Sequence, residues 1–247
     1  MIVLTSDDNE KVKKYIKLKK RKYRDLTGEF IVEGMHNVME AFKTGLLLEL
    51  ILEENEILPL PGKYVYVSKD IMKKISTVDT PPTVMGLCKK KAAFEDRLLG
   101  DKILILDQLQ DPGNLGTIIR SACAFGVSSI VLSENTVDLY NPKVVRATQG
   151  MIFHMNIVQK KSSEIIELLK SLNIPVYGTK VEYGTDVRSL NEKDKRRYAL
   201  VVGNEGNGVR SEISDMCDKN LYINMNDKVE SLNVAIAASI LLYELGR

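Results

Sequence analysis

From residue 101 onward, short apolar runs alternate with helix-patterned segments across brief connections, and this alternation limits the fold more than any other property of the chain. Ile103-Leu104-Ile105-Leu106 reads as a fully apolar strand, and residues 129–132, 153–158, 174–179, 198–203 and 221–225 read as further strands. Residues 115–125, 141–148 and 163–172 read as helices, the second with Pro142 in its first turn, where a missing N–H does no harm. A strand apolar on both faces must be covered on both faces, and parallel neighbours need a crossover between them. The pattern therefore predicts an α/β domain built on a mostly parallel sheet.

Three of these strands run into small, polar residues. Asp111-Pro112-Gly113-Asn114-Leu115-Gly116 leads to Arg120, Gly203-Asn204-Glu205-Gly206-Asn207-Gly208 follows the fifth strand, and Val229-Glu230-Ser231-Leu232-Asn233-Val234 follows the last. In open α/β sheets, ligands sit outside the carboxyl ends of strands, where loops present backbone amides and a few side chains. Three such ends in one domain predict one composite site. Asn114 and Ser231 each read as N-caps of the helices after them. The glycine spacing of the second segment, G-x-x-G-x-G, is neither the dinucleotide fingerprint nor a P-loop, which argues against a nucleotide-dependent oxidoreductase.

Residues 1–92 read as a smaller α/β unit: a helix over about 9–24, strands at 29–33, 49–53, 64–68 and 85–89, and helices at 35–44 and 70–75. The charged stretch that follows marks a linker at 93–100, and 101–247 forms the second domain. The net charge is only +2, yet nine cations crowd residues 11–24 with no acid among them and Tyr15, Ile16, Leu18 and Tyr23 interleaved. Such a patch suits a phosphate backbone, with Lys17, Lys20, Arg21 and Arg24 as candidate contacts; a solvated helix that binds nothing is the plainer alternative.

No run approaches the roughly 18 apolar residues of a membrane span. Cys88, Cys123 and Cys217 are odd in number and have no metal-ligand spacing, so they read as reduced thiols of a cytoplasmic protein, and no metal is expected. The last predicted helix, 232–245, carries no charge from Leu232 through Tyr243. A helix apolar all round has to be buried all round, which predicts a second copy of the chain against it and hence a homodimer.

Taken with their order and spacing, the three strand-end segments resemble the signature motifs of the SpoU/TrmH family of RNA ribose 2′-O-methyltransferases in the SPOUT superfamily. The resemblance implies an α/β-knot methyltransferase domain with a C-terminal trefoil knot over 101–247. It also implies a small N-terminal α/β RNA-binding domain over 1–92, S-adenosylmethionine as cofactor, and transfer of its methyl group to a ribose 2′-hydroxyl. By the same resemblance Asn114, Arg120, Glu205, Ser231 and Asn233 form the catalytic set, and Thr179, Gly203, Ile223, Met225 and Leu232 meet the cofactor. Asn141-Pro142-Lys143-Val144-Val145-Arg146 also resembles family sequence, with Arg146 as a phosphate contact. A guanidinium stays protonated in proteins, so Arg120 is expected to orient and stabilise charge rather than act as a base. The sulfonium leaving group is already activated, so positioning supplies most of the rate. The family commonly has proline at the position of Asn224 and glycine at that of Asp227. The two-domain layout favours large-subunit ribosomal RNA as substrate; transfer RNA, or a catalytically silent RNA-binding member of the fold, are the alternatives.

Overall fold

The computed structural model describes residues 2–91, 100–181 and 184–246, so the expected linker at 93–100 lies outside them except for Gly100. The chain forms two compact units, Met1–Ala92 with Asp138–His154, and Ala93–Val137 with Met155–Arg247.

The first unit begins with β1 (Val3–Leu4), α1 (Glu10–Lys17) and α2 (Arg21–Thr27). β2 (Glu29–Glu33), α3 (Met35–Lys43), β3 (Leu47–Glu53), β4 (Tyr64–Val67), α4 (Lys69–Ile75) and β5 (Val84–Lys89) follow. The strands make one mixed sheet in the order β1-β4-β3-β5-β2. Period-two alternation divides its residues between two cores. Ile51, Val65, Val67, Met85 and Leu87 pack with Val12, Tyr15 and Leu18 of the α1 region and Ile71, Met72 and Ile75 of α4. Phe30, Val32, Leu50, Leu52 and Val84 pack with Val38 and Ala41 of α3 and with Val145, Ile152 and Phe153 from the later segment. That segment is further held by His36, whose Nε2 donates to the Gln149 carbonyl (3.1 Å), and by His154, whose Nε2 donates to Glu40 Oε2 (2.7 Å).

The single helix expected over 9–24 is two helices. Asn9 caps α1 by accepting from Lys11 N (3.0 Å). α1 then stops because Arg24 turns inward from α2 and donates from Nη1 to the carbonyls of Leu18 (2.8 Å) and Lys19 (2.7 Å), which a continuing helix would use itself.

The second unit runs β6 (Lys102–Leu106), α5 (Pro112–Ala124) and β7 (Ser129–Leu132), after which α6 (Pro142–Ala147) belongs to the first unit. It resumes with β8 (Asn156–Gln159), α7 (Ser162–Ser171), β9 (Val176–Thr179), β10 (Thr185–Asp186), α8 (Glu192–Arg196) and β11 (Tyr198–Val202). α9 (Ser211–Asp215), β12 (Lys219–Tyr222) and α10 (Val234–Gly246) complete it. Among the described residues its sheet has seven strands, all parallel, in the order β10-β12-β9-β11-β6-β7-β8. The expected parallel sheet is therefore present, with β10, α8 and α9 as short elements the sequence pattern does not reveal. Phe153 sits in a 3-10 turn, not in the strand expected from 153. The last strand ends at Tyr222, not Met225, so Ile223 and Met225 leave the sheet at its carboxyl end.

α10 lies beside α5, with Ser239 Oγ donating to Ser121 Oγ (2.7 Å) and the Phe125 and Tyr243 rings 5.8 Å apart. The paired positions rise together along both helices, so they run parallel. Within one chain α10 is buried on one side only. Ala235, Ala238, Leu241, Leu242 and Leu245 face inward, while Ile236 (54% exposed) and Tyr243 (48%) face out. Among the described residues no helix is long and apolar enough to cross a membrane.

Candidate active site

α5 starts three residues earlier than the sequence suggests, because Asp-Pro is a stronger helix start than Asn-Leu. Asp111 is the N-cap, its Oδ1 accepting from Asn114 N (2.8 Å), and Pro112 occupies the first turn. Asn114 is therefore no N-cap. Its side chain is released from the helix and points elsewhere: Nδ2 donates to Glu205 Oε1 (3.1 Å), and Oδ1 accepts from Asn233 Nδ2 (3.0 Å).

Asn233, in turn, takes the capping role expected of Ser231. Its Oδ1 accepts from Ala235 N (2.9 Å), and its carbonyl accepts from Ala237 N (2.9 Å), the first bond of α10. Each of the three strand-end segments thus contributes one member to a single chain, Glu205–Asn114–Asn233. The order of donors is forced. A carboxylate only accepts, so the amide nitrogen of Asn114 must face Glu205, which leaves its oxygen for Asn233 and the oxygen of Asn233 for the helix N-terminus.

Glu205 also accepts from Asp111 N (2.9 Å, Oε1) and Gln110 N (3.1 Å, Oε2). Burial acts to raise its pKa, but the Asp111 amide, the Asn114 side chain and the other donors outweigh it, and the carboxyl is held below its usual range.

The loop that carries Glu205 is closed on itself. Asn204 N donates to Gly208 O and Gly208 N to Asn204 O, both 2.9 Å, while Asn204 Oδ1 accepts from Gly206 N (2.9 Å). A side chain at Gly203 would place its Cβ 2.0 Å from the Gly208 carbonyl carbon, so only glycine fits.

A cavity of about 380 Å³ opens at the carboxyl ends of β9, β11 and β12. Its lining includes all five expected cofactor contacts, Thr179, Gly203, Ile223, Met225 and Leu232, together with Glu205 and Ser231. Leu241 of α10 adds to the apolar wall, and Lys180 is the one cation among the described lining residues. Lys180 escaped the sequence reading, since one lysine among 35 Lys and Arg residues carries no signal. Asn224 and Asp227 are exposed and not part of the lining. The volume falls within the roughly 300–1,000 Å³ of small-molecule sites. A glycine loop, apolar walls and one carboxylate suit an adenosyl ligand with a cationic centre. Arg120 is exposed on α5, on the same stripe as Thr117, and makes no hydrogen bond or ion pair with a described residue.

In the first unit, the expected RNA contacts separate into two groups. Lys17, Lys20 and Arg21 are exposed, Arg21 beside Asp25 (3.4 Å). Arg24 is 3% exposed and pairs through Nη2 with Asp138, so its assignment to RNA is corrected: it is a structural cation. Arg146 is directed at Glu33 Oε1 (3.5 Å) and Thr77 Oγ1, which leaves it a poor candidate for phosphate.

Residues 101–243 match the model of the SpoU rRNA Methylase family, and residues 9–86 that of the MRM3-like substrate binding domain. The chain belongs to the SpoU rRNA methylase family. It is 36% identical over 248 residues to the Bacillus subtilis 23S rRNA (guanosine(2553)-2′-O)-methyltransferase RlmP, covering 98% of each chain. Among solved structures, it resembles the AdoMet-bound rRNA methyltransferase from Sinorhizobium meliloti, with TM-score 0.87, 28% identity, and 99% and 97% of the two chains covered. It is also similar to the SpoU methyltransferase AviRb from Streptomyces viridochromogenes in complex with AdoMet, with TM-score 0.86, 26% identity and 97% of both chains covered. As a SpoU methylase with this cavity, the protein uses S-adenosylmethionine.

Proposed function

We propose that this SpoU methylase transfers the methyl group of S-adenosylmethionine to a ribose 2′-hydroxyl of large-subunit ribosomal RNA. The observation that carries the reading is the Glu205–Asn114–Asn233 chain, in which three motifs far apart in sequence join beside one cavity. A silent member of the fold would have no need to hold two amides in one fixed orientation at the pocket.

When bound, the donor supplies a methyl group already activated on a sulfonium centre. Gly203, Ile223 and Leu232 would hold it through backbone and apolar contact, with Thr179 and Met225 closing the wall. The ionised carboxylate of Glu205 fixes Asn114 and, through it, the start of α10, so the acceptor side of the pocket is set before substrate arrives. Arg120, exposed and without a partner among the described residues, is free to hold a substrate phosphate and to stabilise charge developing on the ribose oxygen. Ser231, exposed and lining the cavity, offers a further hydroxyl.

The first unit is proposed as the RNA-binding domain, with Lys17 and Lys20 as phosphate contacts and Arg21 in support. A second copy of the chain is proposed to cover Ile236 and Tyr243 of α10, because two large side chains exposed on a helix uncharged from Val234 through Tyr243 favour a partner. The trefoil knot and a cytoplasmic location belong to the same proposal.

The test is methyl transfer from labelled S-adenosylmethionine to large-subunit ribosomal RNA from a strain lacking the gene, with the product mapped as a ribose 2′-O-methyl group. Transfer to RNA from the deletion strain but not from its parent is the expected result. Transfer only to transfer RNA, or none at saturating donor, overturns the reading.

A further inference from the structure

The loop 203–209 has two attachments outside itself that the catalytic chain does not include, and both end on the same dipeptide. At its incoming end, Asn204 Nδ2 donates to the carbonyl of Gln108 (3.0 Å). At its outgoing end, Arg210 reaches the side chain of Asp107: Nη2 donates to Oδ1 (2.8 Å) and Nε to Oδ2 (3.0 Å). Asp107 directly follows β6, and its amide donates to Val202 O (2.8 Å), the last residue of β11. It is 0% exposed, and its Oδ1 also accepts from Ser162 Oγ (2.9 Å) in the first turn of α7. Gln108 is fixed as well, its amide donating to Ser133 Oγ (2.7 Å).

Burying a carboxylate costs several kcal/mol unless good geometry and further hydrogen bonds offset it. Here a two-pronged guanidinium and a hydroxyl supply both. Burial acts to raise the Asp107 pKa, yet Arg210 and Ser162 hold it below the usual carboxylate range. Between the two attachments, Glu205 to Gly208 are exposed; the Glu205 carboxylate is held by Gln110, Asp111 and Asn114, and the turn that Asn204 makes closes the rest. The glycines and asparagine after Glu205 carry no bond to a described residue outside the loop, so the outgoing end sets the path of 206–209, and the loop lines the cavity.

We propose that Asp107 and Arg210 are a positioning pair for the methyl-donor site. The pair staples the outgoing end of loop 203–209 to the root of the first motif, so that the loop's backbone is set for the donor before it binds. This rests on the proposed function above, because the cavity must be a donor site. Preorganisation of this kind shows in affinity as well as in stability.

The experiment is calorimetric titration of the full-length protein with S-adenosylmethionine and with S-adenosylhomocysteine, for wild type, Arg210→Gln, Arg210→Lys and Glu212→Gln. Arg210→Gln should weaken both ligands by about tenfold or more, a change of about 1.4 kcal/mol. Arg210→Lys keeps the charge without the fork and should fall between. Glu212 touches only the outer nitrogen of Arg210 (2.9 Å), and Glu212→Gln should bind as wild type. Amide exchange should quicken in residues 204–209 of the Arg210 variants without ligand and slow again at saturation. Folded Arg210→Gln binding within twofold of wild type overturns the proposal; if that variant does not fold, unchanged affinity in Arg210→Lys overturns it instead. Wild type that binds neither ligand overturns the donor-site reading itself.

Discussion

Asn114→Asp changes one atom type and almost no volume, yet it sets a carboxylate against Glu205 across what is now a 3.1 Å hydrogen bond. Two unit charges at that distance repel by about 1.3 kcal/mol at the dielectric of water and about 5 kcal/mol at an effective value of 20. Glu205 is exposed, so the lower part of that range applies, about 1–3 kcal/mol with the lost hydrogen bond included. The catalytic unit should melt lower by about 2–4 °C per kcal/mol. The second change, Glu205→Gln, supplies an amide donor for the new carboxylate at position 114, so the double variant should recover much of the loss even though activity does not return. The sign of the pH dependence separates repulsion from general damage. In the wild type the Glu205 pKa is depressed, so its stabilisation is complete above the unfolded carboxylate range and is lost as pH falls through the folded value. In Asn114→Asp a proton relieves the repulsion, so the gap between variant and wild type should narrow as pH falls from about 7 towards about 5. Thermal and urea unfolding of the four proteins gives the coupling directly. A double-variant loss equal to the sum of the two single losses, or a gap that does not change with pH, refutes the chain of hydrogen bonds.

Four further outcomes follow from the geometry. Asn233→Ala removes the α10 N-cap and leaves Asn114 Oδ1 without its donor, so urea unfolding should show a loss of about 1–2 kcal/mol, while Asn233→Ser restores the cap but not methyl transfer. Gly203→Ala drives a Cβ into the backbone of Gly208 and should abolish donor binding by calorimetry. Arg24→Ala strands the mostly buried Asp138 and should destabilise the first unit by about 3–5 kcal/mol, read by urea unfolding. Lys17→Glu with Lys20→Glu should instead leave melting unchanged, weaken RNA binding and flatten its salt dependence.

The parallel sheet and the position of the site were legible because both rest on local pattern. Continuous apolar strands such as 103–106 admit few environments, and glycine and asparagine at strand ends have little reason to be there except to shape loops. The cap assignments failed where two good caps compete a few residues apart. Asp111-Pro112 wins over Asn114, and Asn233 over Ser231, and in each case tertiary hydrogen bonding decided between near-equal local choices. The basic run misled for a different reason. Sequence shows how many cations a segment holds, not which of them turns inward, and Arg24 became the cap of the helix before it. The Asp107–Arg210 pair was out of reach, because its members are 103 residues apart and neither belongs to a recognisable pattern.

The first unit borrows Asp138–His154 from beyond the start of the catalytic sheet. Val145, Ile152 and Phe153 are buried against Phe30 and Leu50, so a fragment ending at residue 92 would leave that core open to water. On a ribosome adding roughly 5–20 residues each second, the N-terminal unit must wait several seconds after its own last strand emerges before it can close. By then β6 and β7 have already been made, and the two units finish folding as interleaved tasks rather than in succession.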